Sequence, residues 1–245
     1  MINFKKYGKR CLSLFLAASM ILMPAVQIFA EEETAAATTD STQTAEEDRE
    51  TQRQNCYAIV PDSNSVENWP QGPATYADSA IVMDMNSGAV LYSKQIEKKH
   101  YPASITKLLT TLVALDNAEL TDTVEFSQDS ISFLEYGDAH IGMTPGEQIS
   151  MEDALYAVLL ASANEVSYAV AESVGKKMGG GYDTFIQAMN DESEKLGCTG
   201  SHWTNANGLH DEQHYTTAHD MARIGAAVYQ KEAFRTISQS LSHTI

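Results

Sequence analysis

The stretch Leu108-Leu109-Thr110-Thr111-Leu112-Val113-Ala114-Leu115 is apolar and uncharged, and Ser104-Ile105-Thr106-Lys107 stands at its head. Tyr101-Pro102 comes directly before, and an X-Pro step interrupts regular structure. The spacing predicts a helix that starts at or near Ser104 and runs to about Asn117. In a helix, residues i and i+3 share a face, so the Lys107 amine lies against the Ser104 hydroxyl. A serine is a poor nucleophile at neutral pH unless a neighbouring base takes its proton. A lysine is such a base when burial lowers its pKa.

Spacing alone does not single out Ser104. Ser173-Val174-Gly175-Lys176 has the same S-x-x-K pattern. There, Lys176-Lys177 followed by Gly179-Gly180-Gly181 reads as a basic last helical turn and a stop. A helix with a serine near its start and a solvated lysine is the plain reading of either site. The proline and the apolar run are what set Ser104 apart.

The chain has 245 residues, room for one large domain or two small ones. Lys5, Lys6, Lys9 and Arg10 precede a mostly apolar segment from Cys11 to Phe29. Residues 1–30 read as a secretory signal cut after Ala30, so the protein is expected to be exported to the cell envelope. An uncleaved anchor is the alternative, and Pro24 and Glu31-Glu32-Glu33 argue against it. Residues 31 to about 54 carry no aromatic and no aliphatic larger than Ala, and so read as a flexible spacer. The expected organisation is a signal over 1–30, an acidic Thr/Ala/Glu-rich linker over 31–70 and a catalytic domain over 71–245. The fold itself begins somewhere between Tyr57 and Tyr76.

Removing the four cations of the signal takes the formal charge from −17 to −21. That balance disfavours nucleic acid, which is bound through Lys and Arg, and an anionic membrane surface. Only Cys56 and Cys198 remain after cleavage, too far apart in sequence to define a disulfide framework. No C-x-x-C occurs, which argues against cysteine-based zinc sites.

Ala80–Asp84 and Ala89–Ser93 read as a hairpin about Met85-Asn86-Ser87-Gly88. Residues 121–149 read as an irregular or β-containing excursion. Ser150-Met151-Glu152-Asp153 resembles a capping box with Asp in place of Glu, opening a helix over Ala154–Leu160. Further helices are expected over Glu165–Lys177, over Tyr182–Leu196 with Gly197 as the stop, and from Thr217 onward. With one clear hairpin among many helices, a larger sheet is expected for the helices to cover.

Ser162-Ala163-Asn164 falls between two helical runs. It is either a helix–helix turn with a Ser/Asn cap or the second of three motifs, S-x-x-K, S-x-N and K-T-G, used in serine acyl transfer. With both motifs in order, the chain resembles the low-molecular-mass penicillin-binding proteins that act as serine-type D-Ala-D-Ala carboxypeptidases. The resemblance covers about Tyr76 to Ile245. Besides the hairpin and the run from Tyr101 to Thr110, it includes Gly142-Met143-Thr144-Pro145-Gly146-Glu147 and Leu159 to Glu165. It also includes Trp203-Thr204-Asn205-Ala206-Asn207-Gly208-Leu209 and Tyr215 to Ala222.

The resemblance implies an α/β (α+β) fold of the penicillin-binding protein and β-lactamase type, with a helical subdomain and an antiparallel sheet. It is expected to be incomplete, because no K-T-G or K-S-G occurs and the later strands, a β-rich C-terminal domain and a membrane-anchoring helix are absent. Membrane contact is then expected only through the signal segment or such an anchor.

The implied substrate is a peptidoglycan stem peptide ending in D-Ala-D-Ala, the implied inhibitors are β-lactam antibiotics, and no cofactor is implied. The resemblance implies that Ser104 is the nucleophile, Lys107 its base and Ser162 a proton relay to the leaving nitrogen. Asn164 holds Lys107 or a substrate amide.

His210-Asp211-Glu212-Gln213-His214 invites a metal reading. It matches neither H-E-x-x-H nor H-x-x-E-H and falls in a loop. Two rival functions remain at this stage. One is a class A β-lactamase, which usually has Ser-Asp-Asn and an added Glu-bearing loop. The other is a non-catalytic muropeptide-binding fragment.

Overall fold

A computed structural model describes residues 46–245. The expected export signal over 1–30 lies outside the described residues, as does the 31–45 part of the spacer. Residues 46–58 form a helix, α1. Its exposed 46–55 portion is held by its own side chains: Gln54 donates to Glu50 at 2.7 Å and Arg53 lies 3.7 Å from the same carboxylate. The polar composition that excludes burial there does not exclude a local helix with such i,i+3 and i,i+4 pairs.

The unit that starts at Cys56 contains every motif. Ala80–Met83 (β1) and Val90–Lys94 (β2) form the expected antiparallel hairpin, with a register shift at Val82/Met83. Asp84 makes the turn by accepting from the Ser87 N–H and hydroxyl.

Contacts tie the segment before the hairpin, including part of the linker expected over 31–70, to β2. The Trp69 indole donates to the Leu91 carbonyl. The fully buried Lys94 amine donates to the carbonyls of Cys56, Thr75 and Ala77 at 2.6–2.8 Å. A buried cation has to be satisfied by hydrogen bonds, and these three tie 56–77 onto β2. Cys56 and Cys198 are both free thiols.

The helical body follows. Ala103–Thr106 is a single 3-10 turn that runs into Lys107–Asn117 (α2). Thr123–Glu125 (β3), the short helix Asp129–Ser132 (α3) and Gln148–Ser150 (β4) make up the excursion, and β3 pairs antiparallel with β4. Met151–Leu160 (α4) begins where the Ser150 hydroxyl accepts the Asp153 N–H. The Asp153 carboxylate, one methylene shorter than Glu, accepts from the Ser150 hydroxyl at 2.7 Å; no bond from it to the Ser150 N–H completes a capping box.

Asn164–Lys177 (α5), Tyr182–Lys195 (α6), Ala218–Tyr229 (α7) and Glu232–Ser238 (α8) complete the body. Thr217 caps α7, and Gly197 ends α6 at φ +75°. α8 is a separate helix after the one expected from Thr217 onward.

Among the described residues the helices bury much of their apolar surface against one another. Leu109, Leu112 and Val113 of α2 meet Val166, Val170 and Val174 of α5, Leu155 of α4 and Phe185 and Met189 of α6 in one core. Each of these is at most 2 % exposed. They stand at i, i+3 and i+4 on α2 and at steps of four on α5 and α6, the spacing of one helix face. Gly175 lets α5 and α6 approach closely, because a Cβ there would lie 2.0 Å from the Gly181 carbonyl oxygen. Among the described residues, no helix is long and apolar enough to cross a membrane.

Candidate active site

The 3-10 turn explains how Ser104 meets Lys107. At three residues per turn, side chains i and i+3 eclipse one another, and Lys107 Nζ lies 3.3 Å from Ser104 Oγ. Ala103, directly before the serine, has φ +49°. That bend swings the chain from Pro102 into the turn and leaves Ser104 exposed while Lys107 is 3 % exposed.

Two further acceptors hold the lysine. Nζ donates to Asn164 Oδ1 at 2.8 Å and to the Asn207 carbonyl at 2.7 Å. A lysine only donates, so the amide atom facing it is oxygen. With Ser104 Oγ, these acceptors account for all three ammonium hydrogens. The contact to Ser104 is the longest, so loss of that proton leaves a lone pair aimed at the serine hydroxyl. Burial pushes the Lys107 pKa down to about 8, while the carboxylates of Glu165 and Asp138 act in the opposite sense.

Asn164 is the first residue of α5 and 5 % exposed. Its N–H donates to the Ala139 carbonyl at 2.8 Å. Ser162 sits in the turn between α4 and α5, half-buried, at φ +55°. The cap position of α5 is Ala163, so this turn is not the simple Ser/Asn cap. Two of the four non-glycine residues with positive φ among the described residues are thus Ala103 and Ser162. Such conformations cost about 1–2 kcal/mol for an L-residue, and here they fall at the two motifs that carry Ser104 and Asn164. Hydrogen bonds join Ser104, Lys107 and Asn164; among the described residues none joins Ser162 to them.

The 204–209 loop forms the other wall, and spacing alone did not reveal it. Thr110 Oγ1 donates to the Ala206 carbonyl next to the Asn207 contact. Asx turns shape the loop: Asn205 Oδ1 accepts the Gly208 N–H and Asn207 Oδ1 accepts the Leu209 N–H. Gly208 has φ +87°, and a Cβ there would lie 1.9 Å from the Ala103 carbonyl oxygen. Only glycine lets this loop touch the backbone that presents Ser104.

His214 locks the same contact from behind. Its Nδ1 accepts the Thr204 N–H at 3.0 Å, which leaves the ring proton on Nε2, 2.8 Å from Thr106 Oγ1. Both ring nitrogens are spent inside the protein, and His210 stacks edge-on against Tyr101. The H-D-E-Q-H loop therefore serves packing. The second S-x-x-K is also structural: Ser173 Oγ accepts the Glu125 N–H, Lys176 pairs with Glu172 at 3.0 Å and Lys177 pairs with Asp122.

Residues 66–243 match the sequence profile of the D-alanyl-D-alanine carboxypeptidases, the peptidase S11 family. The chain belongs to this family of serine peptidases.

It is 32% identical over 162 residues to the D-alanyl-D-alanine carboxypeptidase DacF of Bacillus subtilis, covering 64% of this chain and 40% of the relative. It is 32% identical over 171 residues to DacB2 of Mycobacterium tuberculosis, covering 69% of this chain and 55% of the relative. The chain thus spans about half the length of these curated relatives.

The crystal structure of a D-alanyl-D-alanine carboxypeptidase from Mycobacterium tuberculosis superposes with a TM-score of 0.61 at 31% identity, over 74% of this chain and 65% of that one. Penicillin binding protein 5 from Haemophilus influenzae gives 0.60 at 28% identity, over 66% and 47%. The expected penicillin-binding protein fold, helices with small antiparallel sheets, is what these likenesses show, incomplete relative to those structures.

Proposed function

We propose that the protein carrying this chain is a D-Ala-D-Ala carboxypeptidase that trims the terminal D-Ala from peptidoglycan stem peptides in the cell envelope, and that β-lactams acylate the same serine. The observation that carries this reading is Lys107 Nζ held among Ser104 Oγ, Asn164 Oδ1 and the Asn207 carbonyl. A buried lysine fixed by two acceptors, with its third direction on an exposed serine, is a general base aimed at a nucleophile.

In this mechanism neutral Lys107 takes the Ser104 proton as Oγ attacks the penultimate D-Ala carbonyl. The Ser104 N–H stabilises the oxyanion. As the C–N bond breaks, the proton taken by Lys107 passes through the Ser162 hydroxyl to the leaving D-Ala nitrogen, and water then hydrolyses the Ser104 ester, freeing the shortened peptide and restoring the serine hydroxyl. Asn164 keeps Lys107 in place. Export depends on residues 1–30 acting as a removed signal, and a mature N-terminus at Glu31 is its signature.

The test is D-Ala release from a pentapeptide by the whole protein, together with the lifetime of its penicillin adduct. Released D-Ala with a long-lived adduct supports the carboxypeptidase. Fast penicillin turnover without D-Ala release points to a β-lactamase, and neither reaction points to a binding module.

A further inference from the structure

Glu165 is the least solvated carboxylate near the site and has no part in the acyl-transfer steps above. It is 0 % exposed. Its Oε1 accepts two backbone N–H groups, from Ile141 at 2.7 Å and Gly142 at 3.3 Å. Its Oε2 is buried with no hydrogen bond. A carboxylate buried with half its acceptor capacity empty is costly.

What it holds is the segment that also receives Asn164: the Ala139 carbonyl accepts the Asn164 N–H. Three hydrogen bonds therefore stitch residues 139–142 to the first turn of α5, two of them through one side chain. The segment has no ladder partner of its own, and Gly142 sits at φ +87°.

We infer that Glu165 is a positioning residue of the acyl-transfer site, clamping the 139–142 segment to α5 so that Asn164 presents Oδ1 to Lys107. This inference rests on the proposed reaction for its consequence in rate, though not for its geometry. The clamp is charged, and its charge also reaches the base. The titratable groups that act on Lys107 are Glu165 from α5 and Asp138, just before the clamped segment; the 3-10 turn and the 204–209 loop offer it Ser104 and the Asn207 carbonyl. Both carboxylates favour the ammonium form and oppose the effect of burial. Glu165 thus holds Lys107 in position and keeps it a stronger base than burial alone would leave.

Three variants separate the clamp from the charge. Glu165→Gln keeps an oxygen for the two N–H groups and removes the charge. Glu165→Asp keeps the charge and shortens the reach. Glu165→Ala removes both. Lys107 titration is read by competitive amine labelling and peptide mass analysis across pH, and the clamp by amide exchange at Ile141 and Gly142. Neither readout requires turnover, and the penicillin acylation rate is measured beside them.

The Gln variant should shift Lys107 titration to lower pH, raising its neutral fraction at pH 7 several-fold, with near-native exchange. The Asp variant should leave the titration near wild type and speed exchange at both amides at least tenfold, with slower acylation. The Ala variant should do both. If the Gln variant fails to fold, the Asp variant decides.

Variants that only lower the melting temperature, with titration, exchange and relative acylation rate unchanged, overturn the inference. A wild-type protein that never releases D-Ala or forms a penicillin adduct overturns the proposed function instead, while titration and exchange still report on Glu165.

Discussion

Lys107 Nζ lies 2.7 Å from the carbonyl oxygen of Asn207, one hundred residues further along the chain. The position of this amine is therefore set by a backbone atom of a loop as much as by the helix that carries it. A carbonyl cannot be removed by changing its own side chain, so the loop's shape is what substitution can test.

Gly208→Ala is the most direct such change. The added Cβ meets the Ala103 carbonyl, and φ +87° is unfavourable for any L side chain. The variant should lose about 2 kcal/mol or more of stability and acylate more slowly than its melt alone explains. Chemical denaturation with parallel penicillin labelling checks this; wild-type values in both would contradict the loop's role.

Lys107→Arg should lose acylation while keeping a positive charge, because a guanidinium cannot be deprotonated. In the wild type, acylation should rise about tenfold per pH unit and level off above about 8, the pKa to which burial lowers Lys107. The sign for stability follows from the same shift. Between about 8 and the unfolded value of 10.5 the unfolded chain binds the extra proton, so stability rises with pH in that window. Stopped-flow acylation against pH reads the limb; a flat profile from pH 6 to 9 would refute the base role.

His214 should make the domain sensitive to acid. Burial lowers its pKa from 6.5 to about 4. Between those values the unfolded chain is protonated and the folded one is not, so stability falls as pH falls from 6.5 to 4 and the loss saturates below. The full effect is on the order of 3 kcal/mol. Thermal melts of wild type and His214→Asn across this range check it: the variant should show a shallower slope, and equal slopes would contradict the assignment.

Much of this geometry was legible in local sequence. The hairpin, the caps at Ser150 and Thr217 and the stop at Gly197 are all short-range chemistry, and each stands where its residues indicate; α2 itself starts only at Lys107, because a 3-10 turn occupies 103–106. Ser104, Lys107 and Asn164 meet as their motifs imply.

The Asn207 carbonyl, the Thr106–His214 contact and the Glu165 clamp were not legible. Each joins distant segments through a backbone atom or an ordinary polar side chain, and such a pairing leaves no periodic pattern. The composition of the spacer misled at 46–54 because low hydrophobicity argues against a core, not against a helix. The larger sheet expected beside the helices is not formed among the described residues, which are incomplete relative to the structures they resemble; there the apolar stripes of α2, α4, α5 and α6 pack against one another.

The central claim is that Ser104 is the nucleophile, and the direct measurement is the site of the penicillin adduct. The whole protein is incubated with benzylpenicillin, digested and mapped by mass spectrometry. The adduct should lie on the peptide bearing Ser104 and vanish in Ser104→Ala. Because this serine is exposed and outside the core, the variant should melt within a few degrees of wild type. An adduct that persists in the alanine variant, or that maps to Ser173 or another residue, would contradict the account.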